Sequence, residues 1–275
     1  MNINADVFML KEYIYETISS SLESLTFGML YKISNKHFKI ERYDFKNTVD
    51  ELVAEGEIRY SYRHGCSFLE KSFEKPIQIS KRIFLVPHQM NFSVRPDDIA
   101  IKIQSGISFG RGDHPTTRLA LKSIEYAFES NSFFDSCCRN STVLDIGTGN
   151  GILAIACVLF GAKTATGIDT DTCARKEAKD NADINGLGDR IIISDKTVEN
   201  ITGQFSIITA NLRYPTLKRL YPVMTELTAT DSLLIFSGVK VSECNELARL
   251  YTKNNFICCR EESEKNWCAL VFKKQ

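Results

Sequence analysis

Two carboxylates frame the stretch of this chain that is best suited to bind a ligand. Asp145 ends one apolar run, and Asp169 ends the next run about twenty residues later. Between them lie a glycine-rich turn and an apolar segment typical of a helix. A strand, a tight turn, a helix and an acid at the tip of the next strand predict a site for an adenosine-containing cofactor. The turn residues expected to contact it are Gly147, Thr148, Gly149 and Gly151.

Each part of this pattern also has a plainer interpretation. Glycines let the backbone turn sharply and let a ligand approach without a Cβ in the way, but a tight turn without a ligand uses them too. Asp169 is placed to accept from ribose hydroxyls, or it caps the next helix with Thr170 or Asp171. Asp145 either accepts a bond from the cofactor's amino group or orients the turn, and the sequence leaves both roles open.

Two further segments contribute to the predicted cofactor site, one after the third strand and one upstream of the glycine-rich turn. Asp195, just past the third strand, could meet the adenine amino group, and Ser194 or Thr197 could take its place. Upstream, Thr116 and Thr117 fall in a first helical turn after a glycine-rich loop, where free amides and hydroxyls suit a carboxylate. An ordinary capped helix is the alternative for that segment.

Asn211 is the candidate for holding the group that reacts. It follows the fourth predicted strand in the segment ANLRYP. Its side chain offers a carbonyl and an amide at once, so it could hold an acceptor nitrogen in position. The alternative is an asparagine that serves only the turn.

Alternating strands and helices position these residues. Such alternation predicts a parallel sheet covered on both faces, in an α/β fold. The last twenty residues instead predict two strands joined by a polar turn. A closing antiparallel hairpin distinguishes a seven-stranded Rossmann-like methyltransferase domain from a plain dinucleotide fold. The predicted parallel strands are 142–145, 164–169, 191–194, 206–210 and 233–236.

The first part of the chain has a different pattern. Residues 1–75 predict three helices and a hairpin, which is typical of a small winged-helix-like domain that recognises a substrate. Residues 76–100 predict a linker with one bridging strand, Arg82 to Val86. The methyltransferase domain is predicted over residues 101–275.

Composition narrows the partners. Among the 275 residues, 34 Lys and Arg balance 34 Asp and Glu. Residues 1–75 hold 10 basic and 12 acidic side chains, so nucleic acid is an unlikely partner. No apolar run approaches the roughly 20 residues of a membrane span, and no signal peptide is evident, so we expect a cytoplasmic protein without a membrane partner. Nine cysteines without a C-x-x-C pair indicate buried thiols, and four scattered histidines predict no metal site.

From about Lys75 to its end, the chain resembles the PrmA-type ribosomal protein methyltransferases. The departures from the family pattern are Arg111 in place of a threonine, a missing P-G-G before the fifth strand, and the unrelated first seventy residues. These departures leave the protein substrate open between a ribosomal protein and another protein. The matching segments are FGRGDHPTT (109–117), VLDIGTGNGILAIA (143–156), ANL (210–212), LLIFSG (233–238) and NWCALVFKK (266–274).

The resemblance implies S-adenosylmethionine as cofactor and methyl transfer to a protein nitrogen, either a lysine side chain or an amino terminus. It implies that Phe109, Thr116 and Asn211 contact the cofactor and that Asn211, His114 and Thr117 serve catalysis. We expect an in-line displacement that depends on alignment and a dry channel, with His114 positioning rather than acting as a base. A small molecule or a nucleic acid base is the alternative acceptor, and a regulator that binds the cofactor without turnover is a third possibility.

Overall fold

The computed structural model describes residues 3–21, 24–63, 65–104, 112, 114–129 and 141–275. Phe109 and Arg111 lie outside the described residues, so the expected contact of Phe109 with the cofactor stays a prediction. The chain forms two compact units, Met1–Lys75 and Pro76–Gln275. Of the helices in the described part of the chain, none combines the length and apolar character needed to cross a bilayer.

The amino-terminal unit contains three helices followed by a two-stranded antiparallel hairpin. Its core consists of apolar side chains from all of these elements, including Ile14, Leu30 and Phe45. Gly56 ends the third helix at a φ of 71°, which lets the Glu57 N–H return to a helical carbonyl. The elements are α1 (Ile3–Ser20), α2 (Phe27–Phe38), α3 (Arg42–Ala54), β1 (Ile58–Arg63) and β2 (Cys66–Lys71).

The carboxy-terminal unit is built on the predicted α/β architecture, with a seven-stranded mixed sheet in the order β11-β12-β10-β9-β6-β7-β8. Five strands run parallel, and an antiparallel hairpin, β11 and β12, closes the edge beside β10. The strands are β6 (Thr142–Ile146), β7 (Thr164–Ile168), β8 (Ile191–Ser194), β9 (Phe205–Asn211), β10 (Thr228–Lys240), β11 (Phe256–Glu264) and β12 (Trp267–Lys274).

Among the described residues, five helices accompany this sheet. They are α4 (Pro115–Glu129), α5 (Ile152–Leu159), α6 (Thr172–Ile184), α7 (Tyr214–Leu227) and α8 (Val241–Thr252). Because the carboxyl ends of parallel strands share one edge of a sheet, the tips of β6, β7, β8 and β9 lie side by side.

Residues 76–103 correct the expectation of a linker. They form a second, three-stranded sheet of β3 (Ile77–Gln78), β4 (Ile83–Pro87) and β5 (Ile99–Ile103), and this sheet belongs to the carboxy-terminal unit. The cause is α5, which is apolar on every side and must be enclosed. It packs on β6 and β7 with one side and on β5 with another.

Asn181 of α6 and Asn185, the residue that follows this helix, fix the second sheet in place. Asn185 accepts from the Lys102 N–H at 2.9 Å and donates to the Lys102 carbonyl at 2.7 Å. Asn181 accepts from the Gln104 N–H at 2.9 Å. These bonds satisfy backbone groups of an edge strand, and they join residues about eighty positions apart, so no local sequence pattern reveals them.

Not every cysteine is the isolated thiol that the sequence suggested. Cys244 of α8 and Cys268 of β12 form a disulfide inside the hydrophobic core. Together with the exposed Glu261 they make the one cluster of three possible metal ligands found among the described residues. The two sulfur atoms are bonded to each other.

Candidate active site

A cavity of about 510 Å³ opens at the carboxyl edge of the parallel strands. Its wall runs from the glycine turn past the tip of β7 and the loop after β8 to the tip of β9 and the face of α7. Six residues expected from the sequence line it: Thr117, Gly147, Thr148, Gly149, Asp169 and Asn211. Gly151, Asp145, Asp195, Thr116 and His114 do not line it.

The glycines of the turn serve two different needs. Gly147 lies at a φ of 70°, and a Cβ there would come within 2.8 Å of the Leu212 side chain at the tip of β9. Gly151 lies at a φ of 83°, and a Cβ there would meet the Ala178 backbone of α6 at 3.2 Å. Gly147 therefore keeps the cavity open, whereas Gly151 lets α5 begin close against α6.

Asp145 is buried beneath the turn. It accepts hydrogen bonds from the hydroxyls of Thr148 and Thr209, each at 2.6 Å. Burial raises the pKa of this carboxyl to about 6, although the two hydroxyls oppose the shift. Because both oxygens are engaged and the side chain is outside the cavity, its contacts favour orienting the turn over binding a cofactor directly.

Asp169 faces the cavity from the tip of β7. Its oxygens accept from the Gly149 N–H at 3.0 Å and the Asp171 N–H at 2.9 Å. The helix cap is Asp171, which accepts from the Cys173 N–H at 2.7 Å. Each carboxylate oxygen has a further lone pair, so Asp169 can still accept from two ligand hydroxyls.

The loop after β8 differs from the expectation for Asp195. That side chain is exposed and does not reach the cavity, whose wall here is residues 196–199. Of the two alternatives, Thr197 lines the cavity and Ser194 does not. The chain turns where the Ser194 hydroxyl accepts from the Lys196 N–H at 3.2 Å, and this turn points Asp195 outward.

The first turn of α4 presents one threonine to each side. The Thr117 hydroxyl lies at the cavity and accepts from the Asn211 amide nitrogen at 3.5 Å. Thr116 turns away and donates its hydroxyl to Nδ1 of His114 at 2.8 Å. The Thr116 N–H also donates to Nδ1, at 3.3 Å, so the neutral imidazole carries its proton on Nε2. The His114 ring meets the ring of Trp267 edge-on at 5.6 Å between centroids.

Asn211 is the last residue of β9 and faces the cavity next to Leu212. Since its amide nitrogen donates to Thr117, its carbonyl oxygen is the group that can accept from an incoming amine. A polar acceptor therefore lies in the same cavity as the glycine turn and Asp169. This arrangement suits the transfer of a group from a bound nucleoside to a nitrogen held at the tip of β9.

Sequence reasoning missed the α7 side of the cavity. Thr216, Arg219 and Leu220 line it, together with Lys196 and Glu199. Positions 216, 219 and 220 fall on one face of α7. Their spacing indicates a shared face, but only the fold shows that this face borders the cavity.

The family described as "Ribosomal protein L11 methyltransferase (PrmA)" matches residues 68–275. A ribosomal protein L11 methyltransferase of Geotalea daltonii is 33% identical over 171 residues, which are 62% of this chain and 54% of that protein. Its counterpart in Geobacter sp. strain M21 is 31% identical over 208 residues, which are 73% of this chain and 64% of that protein. The chain thus matches between half and two thirds of the length of these relatives.

A solved structure of similar fold is the ribosomal protein L11 methylase from Lactobacillus delbrueckii subsp. bulgaricus. It is 28% identical, with a TM-score of 0.64, and the match covers 73% of this chain and 98% of that one.

Proposed function

Because the chain belongs to the PrmA family of ribosomal protein L11 methyltransferases, we propose that it transfers a methyl group from S-adenosylmethionine to a protein nitrogen. The acceptor is a lysine side chain or an amino terminus. The observation that carries the proposal is that the glycine turn, Asp169 and Asn211 line one cavity together.

The residues present fit a nucleoside with a charged amino-acid tail. Asp169 retains lone pairs for ribose hydroxyls, and Gly147 leaves open the space that a Cβ would contest with Leu212. Thr197, rather than Asp195, is the candidate contact for the adenine edge. Thr148, Gly149 and Thr117 line the cavity and would hold the tail. Thr116 lies outside the cavity and contacts His114 instead. Bound S-adenosylmethionine supplies a methyl group already activated by the positive charge of its sulfur.

This chain's own residues orient the acceptor. Asn211 accepts a hydrogen bond from the incoming amine through its carbonyl oxygen, while Thr117 holds its amide nitrogen. A lysine that enters a cavity of low dielectric loses its proton more readily, so alignment matters more than a strong base. His114 acts by position, since Thr116 engages its Nδ1 and the ring does not line the cavity.

The amino-terminal unit is proposed as a winged-helix-like domain that recognises the protein substrate. In support, α1, α2 and α3 precede the β1–β2 hairpin, and Leu25, between α1 and α2, bridges to Leu69 of β2 as a minimal third strand. This unit lies almost entirely outside the family match. The acceptor can therefore be ribosomal protein L11, as the names of the relatives state for them, or another protein.

Charge and setting complete the proposal. Residues 1–75 carry more acidic than basic side chains, which disfavours a nucleic acid partner. A ribosomal acceptor would place the enzyme in the cytoplasm. The proposed methyltransferase domain is the carboxy-terminal unit, Pro76–Gln275, which extends the predicted 101–275 to include the second sheet.

The deciding experiment combines the purified chain with methyl-labelled S-adenosylmethionine. Recombinant bacterial ribosomal protein L11 serves as one acceptor and lysate of a strain lacking this protein as the other. We expect label in one protein band. Label only in nucleic acid or small molecules would overturn the acceptor assignment, and cofactor binding without any transfer would favour the regulator.

Cofactor binding is tested separately by calorimetry with S-adenosylhomocysteine. Asp169→Ala should weaken binding by roughly 10- to 100-fold, because about 1.5–3 kcal/mol of charge-assisted hydrogen bonding is lost. Asp195→Ala is the matched control at the neighbouring strand, and its affinity should equal that of the wild type. Equal weakening in both variants would contradict the placement of the ribose at Asp169.

A further inference from the structure

The segment LLIFSG (233–238) ends in two residues that have no direct contact with the cavity of the proposed reaction. Ser237 and Gly238 lie where the pairing of β10 with β12 shifts register, between Phe236 and Val239. Both are buried, and neither lines the cavity. They nevertheless contact both the tip of β9, which carries Asn211, and the first turn of α4, which carries Thr117. We call these two elements the β9 arm and the α4 arm of the site.

Ser237 bonds to each arm in turn. It is the register partner of Asn211, and its carbonyl accepts from the Leu212 N–H at 3.0 Å. Its hydroxyl donates to the Thr116 carbonyl at 2.8 Å, across 121 positions of sequence. A single fully buried serine therefore ties the tip of β9 to the first turn of α4.

Gly238 is required by a close approach of two backbones. It lies at a φ of 82°, and a Cβ there would be 2.7 Å from the Leu212 carbonyl oxygen and 3.0 Å from Oδ1 of Asn211. The nearest neighbours are backbone atoms, which cannot swing aside as the end of a flexible side chain can. The strand can pass the Asn211 tip this closely only with glycine at this position.

We propose that Ser237 and Gly238 are positioning residues for methyl transfer, which hold Asn211 and Thr117 in the alignment that the acceptor nitrogen needs. This inference rests on the proposed function. Its physical reason is that the direct contact between the two arms, from Asn211 to Thr117, is long at 3.5 Å and cannot fix their spacing alone. A displacement of about 1 Å in such a site can cost a factor of roughly 10² in rate.

The first test compares Ser237→Ala with Ser232→Ala. Ser232 is also a buried serine of β10 whose hydroxyl faces a backbone carbonyl, but it is remote from the site. We expect Ser237→Ala to lower kcat about 10-fold or more, with the affinity for S-adenosylhomocysteine within about threefold of wild type. Ser232→Ala should keep kcat. An unchanged kcat in Ser237→Ala, or an equal loss in both variants, would overturn the proposal.

A second pair of variants tests the close approach. Gly238→Ala introduces both left-handed strain and the clash with Leu212, whereas Gly203→Ala, at a φ of 95°, introduces the strain where no atom lies within 4 Å. We expect kcat to fall about 100-fold only in Gly238→Ala. Equal activity of the two variants would show that the approach to Asn211 does not matter.

A readout independent of turnover uses Trp267, the one tryptophan of the chain, which contacts His114. If Ser237 holds the α4 arm, Ser237→Ala should change the emission and the acrylamide quenching of Trp267, and Ser232→Ala should not. Absence of methyl transfer by the wild type would refute the proposed function. Unchanged Trp267 fluorescence in Ser237→Ala would refute the proposal that Ser237 positions α4, whatever the activity of the variant.

Discussion

The two units of this chain differ in the large apolar side chains that they expose and in the polar side chains that they bury. Among the described residues, the amino-terminal unit exposes more large apolar side chains, although it is the smaller unit: Phe8, Met9, Met29, Tyr43, Tyr60 and Tyr62, against Ile192, Val241 and Ile257 in the carboxy-terminal unit. The carboxy-terminal unit instead buries polar groups beside its cavity, among them Asp145, Thr148, Thr209 and Ser237.

The difference separates two kinds of recognition. Buried polar groups are costly unless each finds a partner, and when satisfied they fix a rigid site for a small ligand. Single exposed aromatic groups are common on protein surfaces, but a contiguous group of them marks a site for a macromolecule. We therefore propose that the carboxy-terminal unit carries out the chemistry and that the amino-terminal unit selects the protein partner. Four predictions test this proposal.

The largest effect is expected at Asn211. Asn211→Ala removes the carbonyl that orients the amine, so kcat should fall about 1000-fold, or about 4 kcal/mol of transition-state stabilisation. The affinity for S-adenosylhomocysteine, measured by calorimetry, should stay within about threefold. A kcat close to wild type would end the assignment of acceptor chemistry to the tip of β9.

The next effect concerns the buried carboxyl of Asp145 and the pH dependence of stability. Its pKa is raised from 3.8 to about 6, so the folded protein holds a proton that the unfolded chain has released between about pH 4 and pH 6. The free energy of unfolding therefore falls as pH rises through this window, by about 3 kcal/mol in total.

Asp145→Asn cannot titrate and should lose this slope in denaturant unfolding measured without cofactor. Asp195→Asn, at the exposed end of the neighbouring loop, is the control and should keep it. If the free energy of unfolding depended on pH in the same way in wild type and Asp145→Asn, ionisation of Asp145 would not be what destabilises the folded protein.

A smaller effect should separate the surface of the amino-terminal unit from the catalytic unit. Replacing Tyr43, Tyr60 and Tyr62 by serine should lower kcat/KM for the protein acceptor about 10-fold, since exposed aromatic anchors dominate such contacts. Cofactor affinity and thermal stability should be nearly unchanged. Ile192→Ser is the matched exposed apolar position of the other unit and should leave kcat/KM intact. An equal loss of kcat/KM in Ile192→Ser would contradict the assignment of partner recognition to the amino-terminal unit.

The smallest effect is expected at His114. Because its ring lies behind Thr116 and outside the cavity wall, His114→Gln should retain kcat within about fivefold, with an unshifted pH–rate profile. A large loss with a displaced profile would identify His114 as a general base and would move the catalytic residues to the α4 side of the site.

Local patterns were sufficient for much of the fold and part of the site. Apolar runs that end in Asp145, Asp169 or Asn211 predict the strand tips, because side chains at the carboxyl ends of parallel strands share one edge. The same reasoning failed at Asp195, which has the right spacing. The turn after Ser194 directs Thr197 rather than Asp195 to the cavity, and spacing alone does not encode that direction.

Neighbouring residues were enough to predict the alternating strands and helices after Pro115, the glycine turn and the family resemblance, since periodicity and short motifs are local. They did not predict the second, three-stranded sheet. Contacts between residues far apart in the chain became evident only in the folded protein. The fold places Thr209 on Asp145, Ser237 on Thr116, and Asn181 and Asn185 on the second sheet, across separations of 64, 121 and about eighty positions. A buried polar group needs a partner, but the chain does not reveal which one until the sheet brings them together.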